Sequence, residues 1–267
     1  MENNQQHPFD HAIQLTGAAN SYHGHTSAAY SNMVGPFGGI TAATLLNALL
    51  DHPQRQGDPV TLTVNFAAPL KEGAFAIETT LIRTNRSTQH WFFTLSQDDE
   101  VVTTGTAVLA TRRQTWSAIE RPFPTLPDNM KPIQNEMLPQ WTKNYEFQMA
   151  GSDVPFFAPD VTSSETIQTI RDNPPRPLDF ASLTAICDVF FPRVFFRLRQ
   201  LVPIGTVSFT IYFHTDAAAL TAHGDTAVIG HARGHKFHNS YFDQSAEIWT
   251  LEGDLLATTT QLVYFKA

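Results

Sequence analysis

The stretch FASLTAICDVFFPRVFFRLRQLVPIGTVSFTIYF, residues 180–213, joins a segment of apolar residues to a strand in which apolar and polar side chains alternate. Most side chains from residue 183 to residue 198 are large and apolar, which predicts one helix over residues 181–198 that is buried on most of its circumference. Asp188 places a carboxylate inside this predicted helix. Because a buried charge is strongly unfavourable unless it is paired or used, Asp188 is either a satisfied structural carboxylate or part of a site.

An earlier part of the chain has the same order of elements. Gly38 and Gly39 precede an apolar run that continues to Leu50, and the pair His52-Pro53 follows it. Proline lacks the backbone N–H that a continuing helix needs, so this pattern predicts a second buried helix with clear ends. Alternating residues and turn signals then predict four antiparallel strands, at residues 60–66, 75–82, 90–96 and 101–110.

The second half repeats this order of a buried helix followed by strands. Its strands are predicted at residues 206–213, 225–234, 240–251 and 255–265. The last strand also matches the first half in sequence, since residues 253–263 align with residues 99–109. The same elements in the same order in both halves predict an internal duplication.

Residues 112–178 differ from both halves because they contain many prolines and no sustained period. This stretch is too long to be structureless in a compact protein, so we expect a connector with short pieces of structure, including a strand near residues 145–150, that drapes over the sheet. The chain is therefore predicted to consist of an N-terminal unit (residues 1–111), a Pro-rich connector (residues 112–178) and a C-terminal unit (residues 179–267).

The composition argues against several classes of function. The 267 residues carry a formal net charge of -8, so no basic surface is predicted for a nucleic acid or an anionic membrane. Cys187 is the only cysteine, which rules out an internal disulfide and favours a reducing compartment. The sequence has no secretory signal pattern and no apolar run of the roughly 18 residues that a membrane helix needs. We expect a soluble, cytoplasmic, globular protein.

The residues that carry a resemblance to a known family occur in both halves. They are Phe37-Gly38-Gly39 and Val64-Asn65-Phe66 followed by Pro69 in the first half, and Asp188, Gly205-Thr206, Tyr212-Phe213-His214 and Thr260-Gln261 in the second. On these residues the chain resembles the acyl-CoA thioesterase II (medium-chain acyl-CoA thioesterase) family of the double hot-dog, thioesterase-like superfamily. The resemblance implies an α+β fold of two tandem hot-dog units, each with a long central helix wrapped by an antiparallel β-sheet.

The resemblance also implies a reaction and a site. In that family an Asp, a Thr and a Gln hold the water that attacks the thioester of an acyl-CoA, and the matching positions here are Asp188, Thr206 and Gln261. The implied products are a free carboxylic acid and coenzyme A, with no cofactor and no metal. No covalent intermediate is required, which agrees with the lack of a G-x-S-x-G nucleophile motif in the sequence.

Gly38 and Gly39 are candidate substrate-binding residues. A helix start without side chains lets a thioester approach backbone N–H groups that could hold a developing oxyanion. Close packing of the helix against its neighbours is the alternative explanation of these glycines. The sequence leaves open which half supplies the oxyanion donor.

A comparison of the halves favours a functional role for the three polar residues. The aligned pairs are Gln261 with Ala107, Thr206 with Pro59 and, after a short gap, Asp188 with the Gly38-Gly39 helix start. Polar groups needed for folding would be expected in both copies, so their confinement to the second half indicates a site. Gln261 also shares a strand face with Val263 and Phe265, which places an amide in an apolar row.

Other functions and features are considered beside this one. A hot-dog hydratase needs a His five residues after its Asp, and this chain has Arg193 there. A non-catalytic acyl-CoA-binding protein with the same fold remains open, although it would not need the polar set of the second half. Arg193, Arg197 and Arg199 could meet the phosphates of coenzyme A, but a solvated helix end is the interpretation that we favour.

The sequence gives no positive prediction of a metal site or of a particular oligomeric state. The histidines at positions 231, 235 and 238 lie in a glycine-broken, strand-like stretch, which disfavours a metal site there. Pairing of chains into a homo-oligomer through their sheets is left open.

Overall fold

The computed structural model describes residues 6–133, 136, 138–150 and 163–266. Within these ranges the α-helices are α1 (Pro8–Ala12), α2 (Gly38–Leu50), α3 (Phe180–Ile186), α4 (Arg193–Leu198) and α5 (Ala217–His223). Two short 3-10 helices cover Ala28–Tyr30 and Gln140–Asn144. No helix in the described ranges has the length and apolar character that crossing a membrane requires.

One large antiparallel sheet contains the strands of the described residues. The first half supplies β1 (Thr16–Ala18), β2 (Ser21–His25), β3 (Asp58–Phe66), β4 (Ala74–Thr84), β5 (Thr88–Gln97) and β6 (Glu100–Ala110). The rest of the chain supplies β7 (Met130–Pro132), β8 (Tyr145–Ala150), β9 (Thr166–Asp172), β10 (Ile204–Phe213), β11 (Val228–Arg233), β12 (Phe237–His238), β13 (Tyr241–Trp249) and β14 (Leu255–Phe265). The strands predicted from alternating patterns are confirmed, with small shifts of their ends.

The strand order is mirrored about the central pair of the sheet, β3 and β10, so that equivalent strands follow one another on both sides. It is β1-β2-β4-β5-β6-β3-β10-β14-β13-β11-β9-β8-β7, and β12 pairs with β13. At the centre, Thr63 of β3 faces Thr210 of β10, with their hydroxyl oxygens 3.0 Å apart. The ladders of β3 and β10 are also irregular at matching places, at Pro59 in β3 and at Thr206 in β10. These repeated features agree with the predicted duplication.

Helix α2 is buried on almost every face, as its apolar composition predicts. It packs directly against α3. A Cβ atom on Gly39 would lie only 2.7 Å from the carbonyl oxygen of Ala185 in α3 and 2.5 Å from the ring of Phe37. A glycine is therefore needed at position 39 for the two helices to approach this closely.

The single helix predicted over residues 181–198 is wrong, because the segment forms two helices, α3 and α4. After α3 the chain makes a tight turn, in which the Asp188 N–H donates to the Ala185 carbonyl oxygen at 3.0 Å. Helix α4 begins only after Pro192, which cannot donate a backbone hydrogen bond and disfavours a helical conformation in the residue before it. Asp188 therefore lies in the turn after α3 and not inside a helix.

The Pro-rich stretch 112–178 contains more sheet structure than predicted. The strand expected near residues 145–150 is confirmed as β8, which pairs with β7 and β9. Because β9 pairs in turn with β11, these three strands extend the sheet beside the second half and do not drape over it. The part of the stretch before them does cross the sheet as expected, since Arg112 donates to Pro59 and Phe213 and Arg121 pairs with Glu247 of β13. β7 is a three-residue edge strand that ends in a proline, and the buried face of β9 has the polar residues Gln168 and Asp172 beside Ile170, so neither strand shows a clear apolar–polar alternation.

Candidate active site

Three polar side chains of the second half meet beside a cavity. Gln261 Nε2 donates to Asp188 Oδ1 at 2.6 Å, and Thr206 Oγ1 donates to Gln261 Oε1 at a longer 3.4 Å. Gln261 is buried because it alternates with Thr259 and Val263 on the inner face of β14. The structure therefore brings together the three residues that the resemblance singled out, with Gln261 between the other two.

The Asp188 carboxylate also lies at the start of α2, in the first half of the chain. The Gly39 N–H donates a hydrogen bond to it. A Cβ atom on Gly38 would lie 2.8 Å from Asp188 Oδ2, so the glycine leaves room for the carboxylate. The first N–H groups of a helix are unpaired within the helix and carry partial positive charge, so this position favours an anion.

The sequence alignment of Asp188 with the Gly38-Gly39 helix start does not describe equivalent positions. The helix of the second half starts at Phe180, and Asp188 follows its last turn. Asp188 and Gly38 are instead neighbours in space. The contact between them crosses from one half to the other, which an alignment of the halves could not reveal.

The protonation of Asp188 is poised near neutral pH. Burial raises the pKa of its carboxyl to about 7, and the hydrogen bonds from Gln261 and Gly39 offset part of the rise. A carboxylate with such a pKa can accept a proton and return it at neutral pH.

A cavity of about 430 Å³ opens beside the three residues. Its wall includes the polar side chains of Asp188, Thr206, Gln244 and Gln261, together with Gly38. Most of the remaining wall is apolar and comes from both halves, with Phe37, Phe66, Leu70, Phe191, Phe195 and Val263 among its residues. Such a cavity suits a ligand with a long apolar part and one polar reacting group.

Gln244 is a cavity residue that the sequence analysis missed. It lies on β13 directly opposite Gln261 of β14, and its side chain is only 4% exposed. Its Oε1 atom has no hydrogen-bond partner among the described residues. A signal was present in the sequence, because Gln244 interrupts an inward-facing row of Phe242, Ala246 and Ile248.

Arg193 is not part of a solvated helix end, so that interpretation is wrong for this residue. Its side chain is fully buried and donates to the Phe191 carbonyl oxygen at 2.8 Å and to Thr166 Oγ1 at 2.7 Å. These bonds satisfy a buried guanidinium and hold the turn between α3 and α4. Arg193 is therefore unavailable to a phosphate in this conformation.

Two histidines of the glycine-broken stretch, His231 and His235, bond to carboxylates. His231 Nε2 lies 2.6 Å from Glu165 Oε1, and His235 pairs with Asp243. Across the ranges that the structure covers, no group of three or more His, Cys, Asp or Glu side chains is placed to hold a metal ion.

Comparison with known proteins identifies the family. Residues 27–110 match the acyl-CoA thioesterase N-terminal domain, and residues 120–265 match the acyl-CoA thioesterase C-terminal domain. The chain belongs to the acyl-CoA thioesterase family. The predicted relationship is thus confirmed, and family membership supports thioesterase chemistry in general. No match was found among curated proteins.

Solved structures of similar fold include one close in sequence. A hot-dog-fold protein of unknown function from Alicyclobacillus acidocaldarius has 48% identity, over 98% of this chain and 99% of that chain, with a TM-score of 0.94. A Thermobifida fusca YX protein assigned as a thioesterase II has 19% identity, over 97% of both chains, and a TM-score of 0.83. The acyl-CoA thioesterase II TesB2 from Mycobacterium marinum has 15% identity, over 97% of this chain and 98% of that chain, and a TM-score of 0.76. The fold of this acyl-CoA thioesterase family member is thus a hot-dog fold.

Proposed function

We propose that this chain hydrolyses an acyl-CoA thioester to a free carboxylic acid and coenzyme A. The observation that carries the proposal is the hydrogen-bonded set of Asp188, Gln261 and Thr206 in the wall of a largely apolar cavity. The apolar wall can bind an acyl chain, and the carboxylate can receive a proton from water. Membership of the acyl-CoA thioesterase family supports the same chemistry.

In the proposed reaction Asp188 is the general base. The oxygen of a water molecule forms a bond to the thioester carbonyl carbon while one of its protons moves to the Asp188 carboxylate. Collapse of the tetrahedral intermediate breaks the C–S bond, and the sulfur of coenzyme A leaves with the proton that Asp188 returns. Gln261 holds the carboxylate through its amide N–H, and Thr206 helps to orient the water.

The first half would stabilise the negative charge that develops on the thioester oxygen. The Gly39 N–H is directed at Asp188, so the free N–H groups of the first turn of α2, starting with that of Gly38, are the candidate oxyanion donors. Gly38 lines the cavity, and its lack of a side chain lets a thioester approach the helix. In this arrangement one half supplies the base and the other supplies electrostatic stabilisation.

We also infer that the fold is a tandem double hot-dog. Units 1–111 and 179–267 would contribute α2 and α3 as their central helices, in contact with each other. The matching irregularities of β3 and β10 and the mirrored strand order support two copies of one unit. Because β9 pairs with β11, the three strands of the stretch 112–178 would attach to the second unit.

A thiol-release assay tests the proposed function. The purified chain is mixed with straight-chain acyl-CoAs of increasing length, and free coenzyme A is measured with a thiol reagent. We expect release from at least one acyl-CoA, and we expect Asp188→Asn to lower kcat about 100-fold or more because the base is lost. Binding of the substrate, measured by calorimetry, should survive the substitution because the cavity keeps its shape.

Asp172→Asn is the matched control. Asp172 is buried, its pKa is also raised by burial, to about 6, and it accepts a hydrogen bond from Ser182, but it lies outside the cavity wall. We expect its replacement to change stability and to leave kcat nearly unchanged. Binding of acyl-CoA without thiol release would instead identify a non-catalytic acyl-CoA-binding protein. Full activity of Asp188→Asn would refute the site assignment.

A further inference from the structure

The polar row in the cavity wall continues beyond the three proposed catalytic residues. Thr206, Gln261 and Gln244 lie on β10, β14 and β13, which are adjacent strands of the sheet. Gln261 and Gln244 are direct cross-strand partners, so their Cβ atoms are about 5 Å apart. Gln244 therefore lies one strand further from Thr206 and close to the reacting position.

Within the described ranges, the amide oxygen of Gln244 makes no hydrogen bond that would stabilise the fold. Its Oε1 atom is buried without a hydrogen-bond partner among the described residues, whereas the Gln261 amide is engaged on both sides by Asp188 and Thr206. A buried amide oxygen without a partner destabilises the folded state, so an unliganded Gln244 is unfavourable. A ligand that donates a hydrogen bond would remove that penalty.

The equivalent position in the first half lies outside the cavity wall and has an aromatic residue. Gln261 pairs with Phe209 as Ala107 pairs with Leu62, which makes positions 261 and 107 equivalent. Ala107 pairs across the sheet with Trp91, so Trp91 is the counterpart of Gln244. Trp91 is a buried aromatic residue that packs on His52. The sheet is thus compatible with an apolar side chain at this position.

We propose that Gln244 is a specificity residue that accepts a hydrogen bond from a hydroxyl group on the acyl chain of the substrate. This inference rests on the proposed thioesterase function and adds the substrate class. Because Gln244 neighbours Gln261, the hydroxyl belongs on one of the first carbons beyond the thioester carbonyl. A hydroxyl bonded to a buried amide discriminates strongly against the unsubstituted chain, which leaves the amide unpaired.

The test compares substrates that differ by one hydroxyl group. Thiol release is measured for octanoyl-CoA, 2-hydroxyoctanoyl-CoA and both enantiomers of 3-hydroxyoctanoyl-CoA, and kcat/KM is determined for each. We expect at least one hydroxylated substrate to exceed octanoyl-CoA about tenfold or more in kcat/KM. In Gln244→Met, which keeps the length of the side chain and removes the amide, we expect that ratio to fall to about 1.

Gln168→Met is the matched control. Gln168 is a fully buried amide on β9 whose two polar atoms also lack partners in the part of the chain that the structure describes, but it lies outside the cavity wall. We expect its replacement to leave the substrate ratio unchanged. Equal loss of the ratio in both variants would overturn the proposal, because it would report a general effect on packing.

Two further outcomes also overturn the proposal. One is the absence of any preference for a hydroxylated substrate in the unmodified chain. The other is a loss in Gln244→Met that is equal for all substrates, which would mean that the amide contacts the reacting water or the thioester. If the unmodified chain releases no thiol, the proposed function fails, and the hydroxyl preference is then measured as a ratio of calorimetric dissociation constants.

Discussion

The two strands that join the halves, β3 and β10, have an irregularity at the same place but contain different residues there. Pro59 occupies the position in β3 and Thr206 occupies it in β10. One strand further out, Ala107 of β6 corresponds to Gln261 of β14. The backbone geometry is therefore maintained with apolar residues in one copy and polar residues in the other. The fold therefore does not require polar groups at these positions, which favours a role for them in the proposed site.

The helices differ in a complementary way. In the first half α2 runs without a break from Gly38, whereas in the second half α3 ends at Ile186 and the chain turns before Pro192. The early end of α3 places Asp188 against the start of α2, where Gly39 donates to its carboxylate. The proposed site is therefore a single one to which each half contributes a different part: the carboxylate comes from the second half and the helix start from the first.

The largest effect is expected when the residues at the equivalent positions 261 and 107 are exchanged between the two halves. Gln261→Ala gives the second half the residue of the first, and we expect kcat to fall on the order of 100-fold because Asp188 loses the hydrogen bond that orients it. The reciprocal change, Ala107→Gln, should leave kcat within about twofold and lower the free energy of unfolding by about 1–3 kcal/mol, since it buries an unpaired amide. Thiol-release kinetics and urea unfolding provide the two measurements. A large loss of kcat in Ala107→Gln would contradict the asymmetry.

The pH dependence of kcat/KM should report the ionisation of Asp188, which lies where the two halves meet. Because burial raises the pKa of Asp188 to about 7 and the base must be ionised, we expect kcat/KM to fall about tenfold per pH unit below that value. The free energy of unfolding has the opposite dependence on pH. Because the pKa of Asp188 is raised in the folded state, its protonated form stabilises the fold. This contribution is fully present below about pH 4 and is lost as the pH rises through 7. In Gln261→Ala the inflection of the pH profile of kcat/KM should move to higher pH, because the hydrogen bond from the Gln261 amide, which lowers the pKa of Asp188, is removed. A flat profile between pH 5 and pH 8 would exclude Asp188 as the base.

Much of this organisation is predictable from sequence where the pattern is local. The alternation of apolar and polar residues predicts the main strands, and the glycines and Pro53 give the ends of α2. The break between α3 and α4 was missed because a long apolar run outweighed the single signal of Pro192. Gln244 was missed for a related reason. One amide in an apolar row is not informative by itself, and only the pairing of β13 with β14 places it opposite Gln261. The contact of Asp188 with α2 depends on tertiary packing, which no local pattern encodes.

The two glycines at the start of α2 should separate a role in the site from a role in packing. In Gly38→Ala the added Cβ would crowd Asp188 Oδ2 at 2.8 Å, and we expect kcat to fall about tenfold because the carboxylate must move. In Gly39→Ala the Cβ would meet the backbone oxygen of Ala185 at 2.7 Å, so we expect a loss of stability of about 1–3 kcal/mol. Steady-state kinetics and thermal unfolding of both variants give the comparison. Equal kinetic losses at equal stability would show that the two glycines act alike.

Thr206 should give the smallest effect of the polar row, although it marks the clearest difference between β10 and β3. Its hydrogen bond to Gln261 is long, at 3.4 Å, so we expect Thr206→Val to lower kcat only about threefold, because a weak bond is lost while the β-branched shape is kept. Thr210→Val on the same strand is the control: its hydroxyl bonds to Thr63 at the centre of the sheet, outside the cavity wall, and kcat should not change. Thiol-release kinetics of both variants give the measurement. If Thr206→Val instead lost about 100-fold, the threonine would have to bind the reacting water directly in the substrate complex, and the order of importance inferred from the unliganded geometry would be wrong.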